Sequence, residues 1–400
     1  MNFTTANDAG EDSSAPRRVL FVTQSMGGGG AERAVATLLR FLDPSRFVPG
    51  LALLSCAGPY LADLPADVLV HDLGERGGYD WLRPMNRLRR LIDADAPSVI
   101  VSVLRHPSLL GLAASRLSRN RPPVVVVEQS AFSRGMASSR VGWLKKFLHR
   151  RLYPKSAAIV VVARGVGTDL QEQLGSARLP IVLIPNPCDH ERIKGLALQE
   201  PDLWVDWSRP TFVAVGRLEA VKGLDLLLDA FAKVRPAQGC QLLILGEGPL
   251  AADLLKRTQR LGVGDRVQFL GFRPNPFAYV ARARALVLSS VAEAFANVLV
   301  EAMTCGTPVV STDCLYGPRE ILQDGASGIL VPPGDTPALA EAMERVLTDE
   351  NLAARLSAAG QVRARDFAAE GVARAYEDVL EKACQRGARG LPLSSRPSRA

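Results

Sequence analysis

Short apolar runs recur along this chain with amphipathic stretches between them. The first, Arg18-Val-Leu-Phe-Val22, reads as a strand buried on both faces. It leads into a glycine-rich loop, Gly27-Gly-Gly-Gly-Ala-Glu32-Arg33, and then a helix of period 3.6 through about Leu42. Further strands are expected over 50–54, 68–71, 99–103, 124–127, 159–162 and 181–184. After a polar stretch with Pro201 and two tryptophans the pattern restarts at Thr211-Phe-Val-Ala-Val215. It continues over 241–245, 267–270, 285–288, 308–312 and 328–331. Alternating strands and helices predict an α/β protein whose parallel sheets are covered on both faces, and the restart predicts two such Rossmann-like domains. The expected boundaries are a flexible tail over 1–16, a first domain over 17–189, a linker over 190–209 and a second domain over 210–364. A helix over 365–385 and a disordered tail over 386–400 complete the chain.

Composition adds exclusions. The 400 residues are 47% apolar, enough for two substantial cores. Residues 1–16 lack a signal-peptide pattern and no uncharged apolar stretch has membrane-spanning length, so a cytoplasmic location is expected. The six cysteines show no paired spacing, which argues against a disulfide framework and a zinc site. The net charge of +7 is concentrated: between Glu128 and Asp169 there are eight lysines and arginines and no acid. On a helix over 140–155, Leu144, Phe147, Leu148 and Leu152 would form an apolar stripe, with Lys145, Lys146, His149 and Arg150 beside or opposite it. Such a surface suits anionic lipid headgroups; a core-facing helix with a basic outer face is the other reading. No nucleic-acid-binding motif accompanies the charge.

The candidate chemistry lies mostly in the second half. In Glu293-Ala-Phe-Ala-Asn-Val-Leu-Val-Glu301 two carboxylates stand eight residues apart where a buried strand gives way to a helix. Ligands of parallel sheets bind at such places. Asn297 is expected to cap that helix, which runs to Gly306, and the N–H groups of Ala296 to Val298 would attract a diphosphate. A diphosphate would repel carboxylates, so Glu293 and Glu301 are expected to accept hydrogen bonds from sugar hydroxyls. Upstream, Gly216-Arg217-Leu-Glu-Ala-Val-Lys222-Gly223 puts two cations in one loop, spaced to meet a diphosphate and neutralise it as it departs. A dinucleotide-dependent oxidoreductase is disfavoured because the first loop lacks the spaced Gly-x-Gly-x-x-Gly pattern. A catalytically silent scaffold is disfavoured by the intact set Arg217, Lys222, Glu293 and Glu301.

These motifs resemble glycosyltransferase family 4, a retaining group with the GT-B fold, over about residues 17 to 380. The resemblance implies two Rossmann-like domains with parallel sheets facing an interdomain cleft, and a last helix crossing back to the first domain. It assigns the donor sugar to Glu293, the ribose to Glu301 and the diphosphate to Arg217 and Lys222, so that Arg217, Lys222 and Glu293 carry the catalytic roles. It extends the donor site to Gly29, Gly30, Gly216, Phe295, Ala296, Asn297 and Val298, and it lays backbone around Gly271 and Phe272 against the base. Many family members have a histidine after the strand that here reads Val124-Val-Val-Val127, whereas this chain has Glu128-Gln129-Ser130. Glu128, Gln129 or His106 could supply the missing contact, and Glu128 is also open as the nucleophile of a double displacement. No protein base is otherwise required, because the departing phosphate can accept the acceptor's proton on the same face. With no Asp-x-Asp at a strand end, neither a metal nor another cofactor is expected. The segment Tyr316-Gly-Pro-Arg-Glu320 resembles a subgroup that adds sugars, often N-acetylhexosamines or galactose, to lipid-linked glycans, which points to a polyprenyl-diphosphate-linked saccharide as acceptor. The donor implied is a nucleotide sugar, UDP-linked, carrying a hexose or N-acetylhexosamine. The acceptor would be a lipid-linked or surface glycan at the inner face of the cytoplasmic membrane, with a soluble sugar or small molecule as the alternative.

Overall fold

The structure is a computed structural model that describes residues 15–75, 81–133, 142–176, 179–234 and 239–389, with the side chains of 142–145 and 387–389 outside the description. Seven strands form the first sheet: β1 (Arg17–Thr23), β2 (Phe47–Leu53), β3 (Leu69–Asp72), β4 (Val99–Val103), β5 (Val124–Glu128), β6 (Ala158–Val161) and β7 (Ile181–Leu183). They are all parallel, in the order β3-β2-β1-β4-β5-β6-β7. The second sheet contains β8 (Thr211–Val215), β9 (Gln241–Leu245), β10 (Val267–Gly271), β11 (Ala285–Leu288), β13 (Val309–Thr312) and β15 (Ile329–Val331), in the order β10-β9-β8-β11-β13-β15. β12 (Ala292–Glu293) and β14 (Leu315–Tyr316) pair as a separate two-stranded ribbon.

In both sheets the strand order reverses beside the first strand, between β1 and β4 and between β8 and β11. Loops leaving the two sides of such a reversal part in opposite directions and open a crevice at the carboxyl ends of the strands. The two crevices face one another. Asn297 Nδ2 donates to the Gly30 carbonyl at 2.9 Å, and a methyl group on Gly28 would lie 3.6 Å from the Phe272 ring. The fold is therefore GT-B: two α/β domains meeting across a cleft.

The segment expected as a linker begins with a helix, His190–Ala197, whose first turn is capped by Asp189 accepting from the Arg192 N–H at 3.1 Å. Ile193 of this helix is buried in the second domain's core. The crossing helix spans Ala369–Arg389, so it starts later and ends later than expected. Its Val372, Ala373, Tyr376, Val379, Leu380 and Ala383 belong to the core beneath the helix Gly30–Phe41. Glu377, 3% exposed, accepts from the Asp43 N–H at 2.8 Å and from Arg46 at 2.5 Å. Where the chain crosses between domains, Cys188 and Ala368 pair side by side as a parallel bridge. All six cysteines are free.

The basic helix, Gly142–Leu152, departs from its expected facing. His149 is 2% exposed, packed edge-on against Phe132 and Tyr153 with ring centroids 5.0 and 4.9 Å away, whereas Phe147 of the expected stripe is half-exposed under the Arg151 guanidinium. The aromatic contacts decide the rotation of the helix here, over the simple count of apolar side chains. Leu144 and Lys145 lie outside the described side chains; of the tails expected over 1–16 and 386–400, residues 1–14 and 390–400 lie outside the described residues, and 386–389 belong to the crossing helix. Among the described residues, no helix is long and apolar enough to cross a membrane.

Candidate active site

The loops after β8 and β11 leave the two sides of the second sheet's reversal and are stapled together. The Val291 N–H donates to the Val221 carbonyl at 2.9 Å, and Ser289 Oγ to the Lys222 carbonyl at 2.9 Å. Gly223 lets them approach: it has φ 58°, and a methyl group there would lie 2.3 Å from the Ser289 carbonyl oxygen. Lys222 Nζ thus reaches Glu293 Oε1 at 2.7 Å, and Ser290 Oγ donates to the same oxygen at 2.6 Å. Glu293 lies in β12, paired with Tyr316. Gly216 sits under the Lys222 stem, and Arg217 extends outward, 66% exposed, held by Glu219 at 2.7 Å. Both cations of the loop are therefore paired with carboxylates, Lys222 with Glu293 in a half-buried setting and Arg217 with Glu219 at the exposed rim of the cleft.

Asn297 does not cap its helix. The helix Asn297–Thr304 begins at the residue itself, after Ala296 as the cap position without a side-chain cap bond. Its amide instead bridges the domains, accepting from Asn186 Nδ2 at 2.9 Å while donating to Gly30. Asn186 in turn exchanges two amide hydrogen bonds with Gln129, at 2.6 and 2.9 Å. Of the three N–H groups expected to meet a diphosphate, that of Asn297 turns back to the Phe295 carbonyl at 2.9 Å. Ala296 is buried, Val298 half-buried, and the Phe295 ring packs on Phe367 with centroids 5.5 Å apart.

One turn further, Glu301 Oε1 meets Arg33 Nη1 of the first domain at 2.5 Å. Burial would lower the Arg33 pKa, but Glu301 and Tyr60 more than offset it and raise it above the ordinary arginine value. These residues border a pocket of about 70 Å³ between the domains, lined also by Phe277, Asn297 and Val300. Gly29 and Gly30 begin the first-domain helix that faces this side. Glu32 folds back over Gly29, and burial raises its pKa, opposed by its own backbone N–H and by Arg217 across the cleft. Gly271 has φ 72° and its carbonyl accepts from the Gly246 N–H at 2.8 Å; Phe272 beside it is partly exposed toward Gly28.

The candidates for the missing histidine separate by strand parity, since neighbouring residues leave a strand on opposite faces. Glu128 is 1% exposed, with Tyr153 OH donating to Oε1 and Arg105 Nε 3.6 Å from Oε2; burial raises its pKa to about 7 despite both partners. So enclosed, it reaches neither a donor sugar nor an anomeric carbon, which corrects both expectations for it. Gln129 joins the amide chain to the cleft. His106 is half-exposed, 3.8 Å from Glu75. The segment Tyr316 to Glu320 also spans the domains: Glu320 Oε2 accepts from the Arg164 N–H at 2.9 Å, and the Tyr316 ring covers Gly165. Among the described residues no group of three His, Cys, Asp or Glu side chains could hold a metal ion.

Sequence reasoning missed Arg33, Tyr60, Asn186 and Ser290. Arg33 was visible as the cation next to the glycine loop, and Asn186 as the polar residue between two prolines; nothing in the sequence signalled what either would touch.

Facing doubly wound sheets, with a cation and a carboxylate paired at one reversal and a glycine loop opposite, define a two-domain glycosyltransferase. Comparison with known proteins agrees. Residues 28–192 match the family described as Glycosyltransferase Family 4, and residues 205–363 match Glycosyl transferases group 1. The chain belongs to glycosyltransferase family 4. It is 30% identical over 363 residues to a Campylobacter jejuni enzyme, covering 88% of this chain and 95% of that one. That enzyme is named N-acetylgalactosamine-N,N'-diacetylbacillosaminyl-diphospho-undecaprenol 4-alpha-N-acetylgalactosaminyltransferase. It is 29% identical to the lipopolysaccharide core biosynthesis glycosyltransferase LpsE of Rhizobium meliloti, over 78% of this chain and 93% of that one. Among solved structures, Anabaena HepE in complex with UDP-glucose superimposes with a TM-score of 0.76 at 22% identity, covering 91% of this chain and 99% of HepE.

Proposed function

We propose that this glycosyltransferase retains anomeric configuration. It moves a hexose or N-acetylhexosamine from a UDP sugar to a lipid-linked or surface glycan at the cytoplasmic face of the membrane. The observation that carries the reading is the Lys222–Glu293 pair at the reversal of the second sheet, with Arg217 on the same loop and Glu301 one turn along the helix Asn297–Thr304, bordering the pocket between the domains. In this reading Lys222 and Arg217 balance the diphosphate as the glycosidic bond breaks. Glu293 accepts from sugar hydroxyls, Glu301 meets the ribose, and the departing phosphate takes the acceptor's proton. Glu128, enclosed by Tyr153 and Arg105, offers no nucleophile for a double displacement. Catalysis is then positioning and charge stabilisation, with no metal required.

Two likenesses support the substrates: the Campylobacter jejuni relative is named for a diphospho-undecaprenol substrate, and HepE was solved with UDP-glucose. For the membrane contact, half-exposed Phe147 beside Arg151 and exposed Arg150 on the basic helix provide one apolar and two cationic groups on a single surface.

The test is transfer from radiolabelled UDP sugars to undecaprenyl-diphosphate-linked saccharides in chelator, with Arg217→Ala, Lys222→Ala and Glu301→Ala in parallel. Label in the organic phase that all three substitutions abolish, with retained configuration in the product, is expected. Full turnover by the three variants would sink the reading. Label confined to the aqueous phase would move the acceptor to a soluble sugar.

A further inference from the structure

We propose that Arg33 is a positioning residue for the donor: through it the first domain sets the Glu301 carboxylate toward the ribose. The proposal rests on the reading that Glu301 meets the ribose. The guanidinium contacts two aromatic rings, 5.3 Å from the Tyr60 centroid in its own domain and 5.4 Å from that of Phe277 in the opposite one. Its Nε donates to Tyr60 OH at 2.9 Å and its Nη1 to Glu301 Oε1 at 2.5 Å. Contact with both rings and the bond to Tyr60 OH together restrict the orientation of the guanidinium. The direction of the remaining bond to Glu301 is thereby set.

A carboxylate has about four acceptor positions, and Arg33 occupies one. Glu301 held in this way keeps the capacity to accept both hydroxyls of a ribose while it loses the freedom to turn from them. The pocket of about 70 Å³ bordered by Arg33, Tyr60, Phe277 and Glu301 lies against this group. Arg33 belongs to the helix Gly30–Phe41 of the first domain, whereas Glu301 and Phe277 belong to the second. Nucleoside affinity is thus made to depend on closure of the cleft. Lysine would keep the charge but lose the fork of directed donors, so Arg33→Lys separates charge from geometry.

The experiment is calorimetric titration of the full chain with UDP, GDP and ADP, for wild type, Arg33→Lys, Glu301→Ala, the double variant and Phe277→Leu. Melting temperatures without nucleotide and the kcat and KM for the sugar donor accompany it. Arg33→Lys is expected to weaken the preferred nucleoside diphosphate roughly tenfold and raise the donor KM by a similar factor, with kcat within about threefold. Phe277→Leu should follow in the same direction more weakly. The double variant should bind no worse than Glu301→Ala, because the arginine acts only through that carboxylate. If Arg33→Lys binds as wild type while Glu301→Ala is weakened, Arg33 has no such role and the ribose reading stands. If Glu301→Ala binds as wild type, or wild type binds no nucleoside diphosphate, the ribose reading falls and this proposal with it. A lower melting temperature at unchanged affinity would make Arg33 a structural tie only, and additive losses would likewise overturn the proposal.

Discussion

Replacing Asn186 by alanine tests whether the cleft is held in register by side-chain amides. Asn186 is 4% exposed and makes three hydrogen bonds, accepting from Gln129 Nε2 at 2.6 Å and donating to Gln129 Oε1 and Asn297 Oδ1 at 2.9 Å each. Alanine removes all three. A net hydrogen bond is worth about 0.5–1.5 kcal/mol, and Gln129 and Asn297 are half-buried, so water replaces the lost partners only in part. The expected loss is about 2–4 kcal/mol. Gln129→Ala removes two of the bonds and leaves Asn186 on Asn297, so it should lose less. Asn186→Asp keeps the acceptor for Gln129 but cannot donate to either oxygen, and it should lose at least as much as alanine. If half of the effect falls on alignment of Asn297 with the Gly30 loop during transfer, kcat/KM falls roughly 30-fold for 2 kcal/mol. Urea unfolding followed by circular dichroism, with kcat/KM for the same preparations, provides both readouts. An Asn186→Ala protein within about 0.5 kcal/mol and threefold of wild type would refute the reasoning.

Gly246 has φ 138°, and a methyl group there would lie 1.9 Å from the Gly216 carbonyl oxygen. Gly246→Ala should therefore displace the loop bearing Arg217, lower the melting temperature and remove nucleotide binding. Gly264→Ala, with open space around it, is the control, and equal behaviour of the two variants would contradict the argument. Burial raises the Glu128 pKa to about 7 from the ordinary 4.5, so between these values the native state binds more protons than the unfolded chain. The contribution is fully present below about pH 4.5 and is lost as pH rises through 7, by up to about 3 kcal/mol. Glu128→Gln should match wild type near pH 4.5 and exceed it at pH 8; a difference in unfolding free energy that does not vary with pH would count against it.

Most of the sheet architecture was legible because strands buried on both faces are written as uninterrupted apolar runs, as in Val124 to Val127. The ribbon β12/β14 was not, since two residues carry no period. The helix His190–Ala197 was missed although Asp189 signalled its start, because the polar composition around it read as linker. Site residues divide in the same way. Arg217, Lys222, Glu293 and Glu301 stood out from local spacing, but their partners are remote: Arg33 lies 268 positions from Glu301, and Lys222 lies 71 from Glu293. Asn297 shows the cost of a purely local rule. Its propensity to cap a helix was outweighed by two hydrogen-bonding partners that only tertiary structure brings near. Parity along β5 separated Glu128 from Gln129, but which of them faces the cleft depended on Tyr153 and Arg105.

The helix Ala369–Arg389 has a consequence for synthesis. Tyr376, Leu380 and Ala383 belong to the same core as Phe21 and Val101, so the first domain is finished by residues translated only after the whole of the second. At about 5–20 residues per second, some 190 residues separate the end of β7 from that helix, an interval of about 10–40 s. Through that interval the groove beneath the helix Gly30–Phe41 carries apolar side chains still waiting for their cover. A nascent chain of this design depends on the helix after its second domain to complete the first, and a stop codon just ahead of that helix would leave both domains made but the first one unclosed.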